Sequence, residues 1–120
     1  MNFDDAITAH SQWKIRLQGV INGSSKEILD PQVVGLDNKC PLGQWIHGEA
    51  KQQYAQLPEY AALVKQHAEF HQSAAEVLRM ALAGQLDKAK ACLETGGSFM
   101  DASIRTVTAI RQLRRKVESA

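Results

Sequence analysis

Apolar residues in this chain recur in steps of three and four, and no stretch shows convincing two-residue alternation. A chain with that pattern buries stripes of helices, not faces of sheets. The first stripe runs from about Phe3 to Ile21 through Phe3, Ile7, His10, Trp13 or Lys14, Leu17 and Val20–Ile21. Asn2 is placed to cap it, and Asp4 and Asp5 complement its dipole. Asn22-Gly23-Ser24-Ser25 stops it. A second stripe covers about Glu59 to Ala83, opened by Pro58 and closed by Gly84, with Tyr60, Leu63 or Val64, His67, Phe70 or His71, Ala74, Leu78 and Ala81–Leu82 inward. A third covers Gln85 to about Val117 through Leu86, Ala89, Leu93, Met100, Ile104, Val107, Ile110–Arg111 and Val117. Gly96-Gly97-Ser98 interrupts it, and Ser98 is read as the cap of its longer second part.

The segment between the first two stripes is irregular. Ser25–Leu29 is expected to form at most one helical turn, broken by Asp30-Pro31, and Val33–Lys39 reads as a long loop. Pro41 fits the first position of a short helix reaching to about Tyr54. Gly43 and Gly48 weaken that helix, which points to close backbone packing there. The expected fold is all-α: an antiparallel four-helix bundle with an additional short helix carrying the Cys40 motif. At 120 residues the chain reads as a single domain, 1–120.

Composition narrows the function. Fourteen basic residues against thirteen acidic ones argue against a nucleic-acid module and against a polybasic membrane anchor. No apolar run is long enough for membrane insertion, and the acidic start has no apolar core of a secretion signal. The expected location is cytoplasmic, where Cys40 and Cys92 stay reduced and a cysteine serves as metal ligand, redox sensor or small core residue.

His67 and His71 lie four apart, so both imidazoles share one helix face, about 6 Å apart along the axis, and can share one metal ion. By itself the spacing equally describes two histidines lining a helix interface. His10 falls on the inward stripe of the first helix, where a histidine is ordinarily a hydrogen-bonded core residue; in a bundle it could converge with the other two. Cys40, ahead of Pro41, sits at or near a helix N-cap, where free N–H groups and the helix dipole favour a thiolate. Three histidines and one cysteine match a closed tetrahedral zinc site with no open position for water, so hydrolytic catalysis is disfavoured. His47 is a spare, and Cys92 reads as a small core residue.

Together, His10-Ser11-Gln12-Trp13, Cys40-Pro41-Leu42-Gly43-Gln44-Trp45 and His67-Ala68-Glu69-Phe70-His71 resemble the chemoreceptor zinc-binding (CZB) domain, whose pattern is H-x-x-W, C-x-[LF]-G-x-W and H-x-x-x-H in that order. The resemblance places His10, Cys40, His67 and His71 at the Zn2+ ligand positions, and Trp13, Leu42, Gly43 and Trp45 at packing positions. It implies a bacterial four-helix-bundle sensor and no enzyme. The signal would be zinc itself or hypochlorous acid acting on the ligand cysteine. The partner would be a chemoreceptor signalling domain (chemotaxis) or a diguanylate cyclase (cyclic di-GMP), in cis or in trans, and the domain would pair as a homodimer. The alternative is a purely structural zinc-stabilised bundle acting as a dimerisation module.

Overall fold

The structure, a computed structural model, describes residues 2–25 and 27–118. All its regular elements are helices: α1 (Phe3–Asn22), α2 (Pro31–Val34), α3 (Pro41–His47), α4 (Glu49–Tyr54), α5 (Pro58–Leu82), α6 (Leu86–Leu93) and α7 (Ser98–Glu118). Local signals set the ends of α1. The Asn2 side chain accepts from the Asp5 N–H, and Gly23, at φ 73°, takes the left-handed conformation that closes the helix.

α5 packs on α7 more extensively than any other pair of elements. Gln66 meets Arg105 and Thr106, while Phe70 meets Phe99, so the two helices run in opposite directions. Asp4 meets Arg114 and His10 meets Ser103, so α1 is also antiparallel to α7. Two apolar clusters fill the space between the elements. One is built on Trp13, Leu17, Phe70, Leu78 and Phe99, the other on Leu42, Ile46, Leu63, Ile110 and Leu113. Cys40 packs against both, at the join of the two.

The periodic stretches behave largely as their spacing predicts. Ala6, His10, Trp13, Leu17 and Ile21 are the buried face of α1. On α5, Tyr60, Leu63, His67, Phe70, His71, Ala74 and Leu78 are buried, but Leu82 is exposed in the last turn. The stripe of α7 is turned from the expected one. Ile104 is exposed, and the buried face is Phe99, Ala102, Thr106, Ala109, Ile110 and Leu113. The reason is that α7 meets its neighbours on small residues. Thr106 is fully buried because its hydroxyl is satisfied by the Ala102 and Gln66 carbonyls. At its start, Ser98 is already the first helical residue, and the Gly97 carbonyl, not a Ser98 cap, accepts from the Asp101 N–H. A Cβ on Gly97 would lie 2.3 Å from the Ala91 carbonyl oxygen, so the turn between α6 and α7 admits glycine alone.

The connector between α1 and α5 differs most from expectation. Ser25 and Glu27–Leu29 form no helical turn; Lys26 lies outside the described residues. Asp30-Pro31 starts a helix instead of only ending one. The Asp30 carboxylate accepts from the Gln32 N–H and Pro31 takes the first helical position, so α2 occupies part of the expected loop. The single short helix expected over 41–54 is two, α3 and α4, divided at Gly48 (φ −109°, ψ −101°). α2 packs on α5, α3 on α1 and α4 on α5, so the connector is laid along the long helices.

Candidate metal centre

Cys40, His67 and His71 converge. Cys40 Sγ lies 3.4 Å from His67 Nε2 and 3.3 Å from His71 Nε2, and the two nitrogens are 3.1 Å apart. Their potential ligand atoms form a single compact group. Tetrahedral zinc, with bonds of about 2.0–2.1 Å to nitrogen and about 2.3 Å to sulfur, requires edges of roughly 3.3 Å between nitrogens and roughly 3.6 Å between nitrogen and sulfur. All three observed edges are within about 0.3 Å of those lengths. The three residues therefore fit a zinc ion by donor type and by spacing.

Each side chain is held by its own local structure. Cys40 is the N-cap of α3, and its Sγ accepts from the Gly43 N–H at 3.2 Å. This approach is possible because residue 43 is glycine: a Cβ there would sit 1.9 Å from the Asp37 carbonyl oxygen. Burial pushes the Cys40 thiol up, against the pull of the hydrogen bonds from Gly43 and Leu42. The helix end alone does not make it a thiolate, whereas a bound cation offsets that desolvation directly. His71 Nδ1 donates to the Val34 carbonyl of α2 at 2.8 Å. That bond fixes the tautomer and leaves the Nε2 lone pair facing Cys40 and His67. The Trp13 ring meets His71 edge-on at 5.4 Å.

His10 is buried next to this group but outside its tight cluster. Its ring lies against Phe70, with centroids 4.0 Å apart, and its Nε2 is 3.2 Å from Ser103 Oγ. Nδ1 of His10 is buried with no partner among the described residues, as is Nδ1 of His67. His10, Cys40 and His67 all line one small void of about 10 Å³. That is room for a single water-sized body and for no organic substrate. Burial, reinforced by His71, pulls the His10 pKa down to about 4. Burial, reinforced by His71 and His10, pulls His67 down to about 3, and burial lowers His71 too. At neutral pH all three imidazoles are uncharged and able to donate a lone pair.

The remaining scarce residues are elsewhere. His47 is half-exposed and pairs with Asp37 at 3.2 Å. Cys92 is half-buried, with its Sγ 4.0 Å from Met80 Sδ. Two partners of the site escaped the sequence reading, the Val34 carbonyl and the Ser103 hydroxyl. Neither has a local signal, since they lie 37 and 93 residues from the histidines they hold.

The fold and the site together define a helical protein with a buried cysteine–imidazole cluster whose donors and spacing fit a zinc ion. The family model of the chemoreceptor zinc-binding domain matches residues 10–78, and the chain belongs to that family. The match spans Cys40, His67 and His71 and starts at His10. Neither curated proteins nor solved structures give a significant match. Among the described residues no helix is long and apolar enough to cross a membrane.

Proposed function

We propose that residues 1–120 form one zinc-responsive sensory domain in which His10, Cys40, His67 and His71 hold a zinc ion. The observation that carries this reading is the triangle of Cys40 Sγ, His67 Nε2 and His71 Nε2, with edges of 3.1–3.4 Å. His10 completes the set as a further buried imidazole on the void lined by Cys40 and His67, with one ring nitrogen lacking a partner among the described residues. In this reading the long helical segments form an antiparallel four-helix bundle, and α3 is the additional short helix that carries the Cys40 motif.

When bound, zinc supplies a cross-link between elements that are otherwise held by packing and by the Tyr60–Ile46 hydrogen bond. Its ligands come from α1, the start of α3, and α5. Releasing Cys40 frees the connector end of that link. Cys40 is the ligand that oxidants attack, because its sulfur is the one readily oxidised donor of the four. A groove of about 380 Å³, lined by Trp13, Leu36, Lys39, Cys40 and His71 among others, gives small oxidants an approach to it. Hypochlorous acid or a fall in zinc would then shift the population away from the cross-linked arrangement. The domain acts in the cytoplasm of a bacterium, as a homodimer, on a chemoreceptor signalling domain or a diguanylate cyclase, and is not itself an enzyme. The four-ligand set leaves no open coordination position for a substrate.

Metal analysis of the purified protein should find about one zinc per chain, and His67→Ala should lose it. Absence of zinc from the wild type, with His67→Ala indistinguishable from it, overturns the reading. If chelator or oxidant changes stability but never the affinity for a partner, zinc has the structural role of a dimerisation module.

A further inference from the structure

We propose that Ser103 of α7 is the positioning residue for His10, holding Nε2 and thereby assigning metal binding to Nδ1. This rests on the reading above, in which His10 is a ligand. The His10 ring is 2% exposed, so water does not orient it. Two contacts do. Phe70 lies against its face at 4.0 Å, and Ser103 Oγ lies 3.2 Å from Nε2. A neutral imidazole has one N–H and one lone pair. Ser103 Oγ can accept the Nε2 hydrogen, and in that tautomer the lone pair is on Nδ1, which is buried and has no partner among the described residues. A buried acceptor left unmatched is unfavourable, and a metal ion on the void that His10 shares with Cys40 and His67 would remove the penalty.

The same logic operates in reverse on His71. There Nδ1 donates to the Val34 carbonyl, and Nε2 faces Cys40 and His67. Each of these rings is oriented by an outer hydrogen bond, one from α2 and one from α7. Such outer partners commonly determine metal affinity by a factor of about 10–100. The Ser103 contact also has a topological consequence. α7 supplies none of the four ligands, so this hydrogen bond is a direct polar tie between the metal centre and the last helix.

Three substitutions at 103 and one at 10 test the assignment. Zinc affinity is measured by competition with a chromophoric chelator, and Co2+ loaded in place of zinc reports the coordination through its visible bands. Ser103→Ala and Ser103→Val should weaken zinc binding by about 10–100-fold and alter the Co2+ spectrum. Ser103→Thr, which keeps the hydroxyl on the shape of valine, should restore both. Far-ultraviolet circular dichroism of the metal-free variants checks that each one folds. Wild-type affinity in Ser103→Ala, or equal losses in the Thr and Val variants, overturns the role of the hydroxyl. Wild-type affinity and spectrum in His10→Ala instead overturn His10 as a ligand, and the reading beneath this one with it.

Discussion

Gly43→Ala is the smallest change that should disable the metal centre without touching a ligand. The new Cβ would lie 1.9 Å from the Asp37 carbonyl oxygen, 2.8 Å from its carbon and 3.1 Å from Asn38 Cα. All three are backbone atoms, so no side chain can swing aside. Ordinary contact begins at 3.4 Å, so the carbonyl must retreat by about 1.5 Å. Cys40 lies between the two segments forced apart. Metal–ligand distances tolerate only about 0.2 Å, so the thiol cannot keep its place between His67 and His71. Overpacking of this kind costs about 1–3 kcal/mol in fold stability. With an unfolding entropy of about 2.1 cal/mol/K per residue, that lowers Tm by about 4–12 °C. Zinc affinity should fall at least about tenfold, or about 1.4 kcal/mol. Chelator competition measures the affinity, and calorimetry of the metal-free protein measures Tm. Gly35→Ala is the control on the same connector. Its Cβ would meet Pro31 O at 3.3 Å and Ala75 Cβ at 3.4 Å, so both quantities should stay near wild type. A Gly43→Ala protein with wild-type Tm and zinc affinity would refute the claim that close backbone approach sets the position of Cys40.

Phe70→Ala removes a fully buried ring that touches His10, His71 and Phe99, and should cost about 3–5 kcal/mol in urea unfolding; a loss under about 1 kcal/mol contradicts the packing described. Tyr60→Phe deletes the buried hydroxyl that donates to the Ile46 carbonyl at 2.8 Å, and should cost about 1–3 kcal/mol by leaving that carbonyl unpaired; an unchanged midpoint shows that another donor reaches it. The metal-free protein should lose stability as pH falls below 6.5. His10 and His67 titrate near 4 and 3 when folded, so between those values and 6.5 the unfolded chain binds more protons. Each such imidazole contributes up to about 1.4 kcal/mol per pH unit in that window. A urea midpoint that stays level or rises between pH 7.5 and 5 is incompatible with neutral buried histidines.

The sequence alone determined what depends on neighbours a few residues away. Asn2 and Gly23 bound α1, and His10, Trp13 and Leu17 are its inward face because helical geometry returns to one side every three or four residues. The same geometry puts His67 and His71 on one face of α5, and Pro41 makes Cys40 the cap of α3. Only the tertiary structure decided the rest. The phase of α7 is hidden in the sequence because its buried face uses the small residues Ala102, Thr106 and Ala109, and Thr106 is buried through its hydrogen bond to the Gln66 carbonyl of α5 and not through its own hydrophobicity. The connector was illegible because Gly48 divides one expected helix, and because the space it fills exists only once α1 and α5 are packed. Site membership was inferred from residue types in order along the chain. Its geometry required contacts across 27, 31, 37 and 93 residues, from Cys40 to the histidines and on to Val34 and Ser103. Local pattern can set which way a side chain faces on its own helix. Which atom it meets there is decided by packing, where contacts between distant segments form together or not at all.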